Sequence, residues 1–132
     1  MLKVPGRGPK PATVMIVGEA PGFDEEIQGQ PFIGTSGREL KDQLREVGLN
    51  MDDCYNTNVC KYLPPDNDMS EWLTEKKTVG KKRGYVEVSG RWAHPLVIEG
   101  MHELAEEILD VQPRVIIGFG NTPLFALKGQ WG

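Results

Sequence analysis

Three side chains in this sequence stand where they could do chemistry together: Glu19, Phe32 and Asn58. Glu19 follows the apolar run Thr13-Val14-Met15-Ile16-Val17-Gly18 and opens a Gly- and Pro-rich stretch, Glu19-Ala20-Pro21-Gly22. A carboxylate there either polarises a water as general base, worth about 10²–10⁴-fold in rate, or caps a loop amide. Phe32, between Pro31 and Ile33, is either an ordinary core aromatic or a platform for a nucleobase. Stacking of a base on such a ring contributes about 1–3 kcal/mol. Asn58 closes the segment Tyr55-Asn56-Thr57-Asn58 and presents a donor and an acceptor on one amide, the pair that reads a pyrimidine's O=C–N–H edge. A carboxylate, an aromatic face and an amide at one sheet edge suit an extruded pyrimidine, because chemistry on a base requires taking it out of the stack.

These residues need elements to hold them. Residues 13–17 are short, β-branched and closed by Gly, the pattern of a buried strand. Leu40, Leu44 and Val47 recur at helical spacing, predicting a helix that begins near Ser36 or Gly37 and stops at Gly48. Residues 54–59 read as a second parallel strand. Residues 114–120 read as a third, apolar enough to be central. Between them, residues 98–111 predict a helix with Met101, Leu104, Ala105, Ile108 and Leu109 inward and Glu99, Glu103, Glu106 and Glu107 elsewhere. Asn121 or Thr122 caps a last helix over residues 123–127, with Pro123 in its first turn. Helices between apolar strands imply an α/β fold, a three-layer αβα arrangement on a short parallel sheet. Ligands of such sheets bind at the carboxyl ends of the strands.

Residues 69–97 fit this rhythm least and read as an insertion, with a hairpin over residues 84–92. Residues 1–12 are a basic lead-in, either a solvated tail or a phosphate-touching arm. The whole of residues 1–132 reads as one domain, and the rhythm calls for a further strand after the last helix. Either the sheet ends at three parallel strands, or the domain is truncated before its last one, which is the expectation.

Composition sets the outer limits. The chain has 132 residues, 39% hydrophobic and 26% charged, which suits one soluble domain with a real core. A net charge of −4 argues against coating nucleic acid by bulk attraction but leaves room for a local basic patch. Lys76, Lys77, Lys81, Lys82 and Arg83 form that patch beside Tyr85 and Trp92. It is either a solvated loop or a DNA-facing surface, and Lys81, Lys82 and Arg83 are assigned to DNA contact. No apolar run approaches the roughly 20 residues of a membrane span, and the N-terminus has no signal-peptide core, so a cytoplasmic monomer away from membranes is expected. Two cysteines, Cys54 and Cys60, build neither a disulfide framework nor a metal site and are expected as free buried thiols. No phosphate-cradling Gly pattern follows the first strand, which disfavours an ordinary nucleotide-binding domain.

Three segments together resemble a known family: Gly18-Glu19-Ala20-Pro21-Gly22, then Gly29-Gln30-Pro31-Phe32-Ile33-Gly34-Thr35-Ser36-Gly37, then Tyr55-Asn56-Thr57-Asn58-Val59-Cys60-Lys61-Tyr62-Leu63-Pro64-Pro65. They look like the uracil-DNA glycosylase superfamily, closest to its iron–sulfur branch, family four. The resemblance implies hydrolysis of the N-glycosidic bond of uracil in DNA. It implies that Glu19 positions the attacking water, Phe32 stacks on uracil and Asn58 bonds its edge, while the amides around Ala20 and Gly22 hold the base. A non-catalytic DNA- or partner-binding module, for example part of a phage-type DNA polymerase, is the alternative. Two departures stand out. The family's cluster cysteines are missing, with Tyr62 where one is expected, so no iron–sulfur cluster or other cofactor is anticipated. The family's closing His-Pro-Ser motif is also not in this sequence. His94-Pro95 precedes the third strand and so falls on the wrong loop to replace it, and His102 is expected exposed or half-exposed on a helix.

Overall fold

The computed structural model describes residues 1–131, with side chains through Lys128. Strand β1 (Val14–Gly18) is buried from Met15 onward because it is paired on both sides. Strand β2 (Tyr55–Asn58) runs parallel to it in the register Met15↔Tyr55 to Gly18↔Asn58. Strand β6 (Val115–Gly118) runs parallel on the other side, Val14↔Val115 to Val17↔Gly118. The order is β2-β1-β6, so β1 is central among the described strands. Among the described residues β6, expected as central, lies at an edge of the sheet, and Val115 is 50% exposed. Apolar content alone does not distinguish an edge strand from a central one.

Alternation along β1 sorts the two cores. Ile16 packs with Leu44 of helix α2 (Thr35–Glu46), Met51 and Cys54 on one face. Met15 and Val17 pack on the other with Val97, Met101, Leu104 and Val111 of helix α4 (Pro95–Val111) and with Ala126 of helix α5 (Asn121–Trp131). The three-layer αβα arrangement follows. The inner face of α4 differs from the expected one. Leu109 is 75% exposed, while Gly100 and Glu107 turn inward. A Cβ on Gly100 would stand 2.1 Å from the Val59 carbonyl oxygen, so glycine sets how closely α4 approaches the end of β2. Hydrophobicity patterns do not place a glycine and a glutamate on a buried face.

The insertion is a small antiparallel sheet, ordered β3-β5-β4, made of β3 (Leu73–Thr74), β4 (Val86–Val88) and β5 (Arg91–Ala93). The expected hairpin is β4–β5, turned by Ser89 (φ 49°) and Gly90 (φ 82°), both left-handed as a tight hairpin turn requires. Helix α3 (Lys77–Arg83) sits against it through Gly80, where a Cβ would lie 2.3 Å from Trp92 Cβ. The N-terminal lead-in is docked rather than solvated. Val4 is buried, and Arg7 and Asn56 exchange two backbone hydrogen bonds of 2.8 Å along β2. A short helix α1 (Phe23–Gln28), inside the stretch read as loop, was not anticipated. No helix of the described residues is long and apolar enough to cross a membrane.

Candidate active site

The parallel register sets Asn58 directly beside Gly18 at the carboxyl end of the sheet. A Cβ on Gly18 would stand 2.5 Å from Asn58 Oδ1 and 2.8 Å from Phe32 Cζ. Only a hydrogen fits there, and its absence of bulk lets ring and amide meet over one backbone position. Phe32 adopts a left-handed backbone (φ 58°), uncommon for a bulky residue. The first turn of α2 holds it there: a Cβ on Gly37 would lie 2.3 Å from the Phe32 carbonyl carbon and oxygen. Strain of this kind persists where surrounding structure over-determines it, typically at binding sites.

Glu19 is exposed at the mouth of the site, and its Oε2 accepts a 2.5 Å hydrogen bond from Thr122 Oγ1 in the first turn of α5. Thr122 is buried, so the hydroxyl that capping rules offered to a helix terminus instead orients a carboxylate from another loop. Asn58 is 4% exposed, yet its side chain forms no hydrogen bond among the described residues. Its amide lines a cleft of about 390 Å³ shared with Glu19, Ala20, Phe32, Asn67 and Phe119. An adjoining hollow of about 410 Å³ shares Phe32 as a wall but contains neither Glu19 nor Asn58.

Gly22 also borders the cleft, but its N–H is engaged. It donates to Glu25 Oε1 at 2.8 Å, while Gly34 N–H donates to Glu25 Oε2 at 2.5 Å. One carboxylate therefore ties the two Gly-rich loops together. Thr35, Ser36 and Gly37 bring the amide end of α2 to the cleft, a partial positive charge facing its interior.

Sequence reasoning missed Glu25, Asn67, Phe119 and Thr122. Glu25 stands three residues after Gly22, the spacing of a capping box, so a signal existed. Asn67 belongs to a turn with two successive left-handed residues, Asp66 (φ 55°) and Asn67 (φ 56°). The contact of Thr122 with Glu19 spans 103 positions and leaves no local trace.

The basic residues lie elsewhere. Lys81 and Lys82 are exposed on α3, and neither borders the cleft. Arg83 is already committed: it pairs with Glu71 at 3.6 Å, donates to the Glu71 carbonyl at 3.0 Å and lies over the Tyr85 ring. His94 is structural. Its Nδ1 accepts from Leu96 N–H at 2.9 Å to cap α4, and its ring stacks on Trp72 at 4.6 Å. Burial lowers its pKa from the ordinary histidine value. His102 is exposed on α4, as expected.

The two thiols do not suit iron–sulfur ligation. Cys54 and Cys60 are buried in different cores on opposite faces of the sheet. Each donates to a carbonyl, Cys54 to Asn50 at 3.4 Å and Cys60 to Tyr62 at 3.3 Å. Burial pushes both toward the neutral thiol, Cys60 up to about 11, whereas cluster ligands are thiolates. Among the described residues no three His, Cys, Asp or Glu side chains gather as metal ligands.

Comparison with known proteins assigns the class. The profile of the Uracil DNA glycosylase superfamily matches residues 5–132, and the chain belongs to that superfamily. It is 48% identical over 64 residues to the type-4 uracil-DNA glycosylase of Archaeoglobus fulgidus, covering 48% of this chain and 32% of that protein. The type-4 uracil-DNA glycosylase of Thermotoga maritima is 42% identical over 64 residues, covering 48% of this chain and 33% of its own. A DNA polymerase of Bacillus phage SP01 is 42% identical over 64 residues, 47% of this chain and 7% of that protein. The match thus spans about a third of the length of the glycosylase relatives.

Proposed function

We propose that this domain hydrolyses the N-glycosidic bond of uracil extruded from DNA. The observation that carries the reading is the meeting of the Phe32 ring and the unpartnered Asn58 amide over Gly18, with Glu19 the next residue in the chain. Phe32 supplies the stacking face. Asn58 donates from Nδ2 to O4 of the base and accepts at Oδ1 from N3–H, a pairing that the amino group of cytosine cannot satisfy. Thr122 takes one oxygen of Glu19, leaving Oε1 to draw a proton from the attacking water. The water oxygen bonds to C1′, the C1′–N1 electron pair leaves with the base, and an abasic sugar remains. Negative charge gathering on the departing ring faces the Ala20 amide and the N-terminus of α2, preorganised dipoles of the kind that stabilise oxyanions. Gly22 shapes the same wall through Glu25. Lys81 and Lys82 contact DNA phosphates from the insertion, with Arg83 bracing the loop beneath them.

A uracil-containing oligonucleotide incubated with the protein and then treated with alkali should break at the uracil. Glu19→Ala should slow that by about 10²–10⁴-fold. Reversing the charge of Lys81 and Lys82 together should flatten the log–log salt dependence of DNA binding by about 1–2 units, and an unchanged slope removes them from the interface.

A second reading has one specific observation in its favour: among the described residues neither His94 nor His102 borders the cleft. On that reading the domain binds uracil-DNA without cutting it. Tight binding of the oligonucleotide with no alkali-labile site would select it.

A further inference from the structure

On the face of β2 turned away from the cleft lies a closed polar cluster that no part of the proposed reaction uses. Lys61 is 2% exposed. Its ammonium pairs with Glu107 Oε1 at 2.6 Å, donates to Thr57 Oγ1 at 2.9 Å and donates to the backbone carbonyl of Asn58. Tyr55 O–H donates to Glu107 Oε2 at 2.7 Å. Gly6 closes the cluster from outside, since a Cβ there would stand 2.2 Å from Glu107 Oε2 and 2.5 Å from Tyr55 Oη. The three N–H bonds of Lys61 have three partners, and one of them is the carbonyl of the residue whose side chain opens into the cleft.

We infer that Lys61, held by Glu107 and Tyr55, is a positioning residue that sets the orientation of the Asn58 amide. Asn58 is the last residue of β2, and the peptide after it is tied to β1 only through its N–H, Val59 donating to the Gly18 carbonyl at 2.9 Å, while its carbonyl faces away from β1. Lys61 reaches back three positions and grips that carbonyl, while its bond to Thr57 grips the preceding residue. The peptide after Asn58 is thereby held at both its N–H and its carbonyl, and the Thr57 side chain before it is anchored to the same ammonium. Together these fix the direction of the Asn58 Cα–Cβ bond. On the cleft side no hydrogen bond among the described residues steadies the amide, so its aim depends on the backbone. A buried ion pair is a poor device for stability alone, because apolar residues of similar volume often serve as well or better. Its merit here is directional. Misplacement of a reacting or recognising group by about 1 Å costs about 10²-fold in rate.

This inference rests on the proposed role of Asn58, and its test separates the two. Lys61→Met/Glu107→Leu removes both charges at once and fills the space, so the chain keeps its core. Lys61→Arg keeps a buried cation with several donors. In the full chain, the paired variant should lose about 10²-fold in kcat on uracil-DNA with KM for the strand little changed, and Lys61→Arg should recover part of it. The side-chain amide signals of Asn58, followed by NMR with labelled asparagine, should move or broaden in the paired variant while signals of distant asparagines stay. A folded paired variant with wild-type kcat overturns the inference, as does an unmoved Asn58 amide. If the wild-type chain excises no uracil, the proposed function fails and the NMR result alone decides this inference. Should the paired variant not fold, Glu107→Gln is read by the same two measurements, with the same outcomes for and against.

Discussion

The two faces of β2 use polar side chains in opposite ways. On one face Tyr55, Thr57, Lys61 and Glu107 bond one another under a glycine lid. On the other, Asn58 is nearly as buried but has its amide unbonded among the described residues and turned to a cleft. Buried polar groups are normally satisfied by hydrogen bonds or, like Glu107 Oε1 beside the Lys61 ammonium, by an ion pair. The closed face is finished without a ligand. On the open face the amide's donor and acceptor remain available to whatever enters the cleft. Burial by itself therefore says little about function, and hydrogen-bond satisfaction says much.

The contrast breaks most sharply under matched truncations. Asn58→Ala removes no internal bond, so it should leave stability within about 1 kcal/mol while lowering uracil excision by about 10²-fold or more. Lys61→Ala strands the buried Glu107 carboxylate and should cost about 3–5 kcal/mol of unfolding free energy, read from denaturant melts. If the two variants showed the same signature, the division between the faces would be lost.

Gly18→Ala probes the open face more gently. The added methyl meets both Asn58 Oδ1 and the Phe32 ring, so one must move. We expect a stability loss of about 1–3 kcal/mol together with reduced excision, and a fully active, equally stable variant would show that ring and amide need not sit so close.

The smallest effect concerns His94, which belongs to neither face. Burial lowers its folded pKa below the unfolded value of 6.5. The unfolded chain therefore binds more protons in the window below 6.5, and the contribution present above that pH is lost as pH falls through the folded pKa. His94→Asn keeps a cap acceptor for Leu96 and removes the titration. Its Tm should fall less than the wild type's between pH 7 and pH 5, and parallel curves would refute this account.

Much of the site is written locally. Gly18, Glu19 and Phe32 sit in a Gly- and Pro-rich stretch between a β-branched run and a helical period, and Asn58 ends the next apolar segment. Parallel pairing alone then brings Gly18 beside Asn58. The basic cluster was legible as charge but not as geometry: Arg83 is tied to Glu71 and Tyr85, which only folding of the insertion reveals. His94-Pro95 carried a suggestive composition, and the structure spends it on a helix cap and a stack with Trp72.

Periodicity and turn chemistry were enough to specify the strands, the main helices, the loop that bears the carboxylate and the ring, and the amide across from it. These follow from interactions between residues close in the chain, where 2.0 and 3.6 repeats and glycine's freedom leave a readable mark. Which strand is central, why Glu107 is buried, what holds the Asn58 peptide and which hydroxyl orients Glu19 were settled by contacts across long separations, 103 positions in the case of Thr122. No local pattern encodes such pairings, because they arise only once the layers have packed and each buried polar group must find a partner wherever the fold has put one.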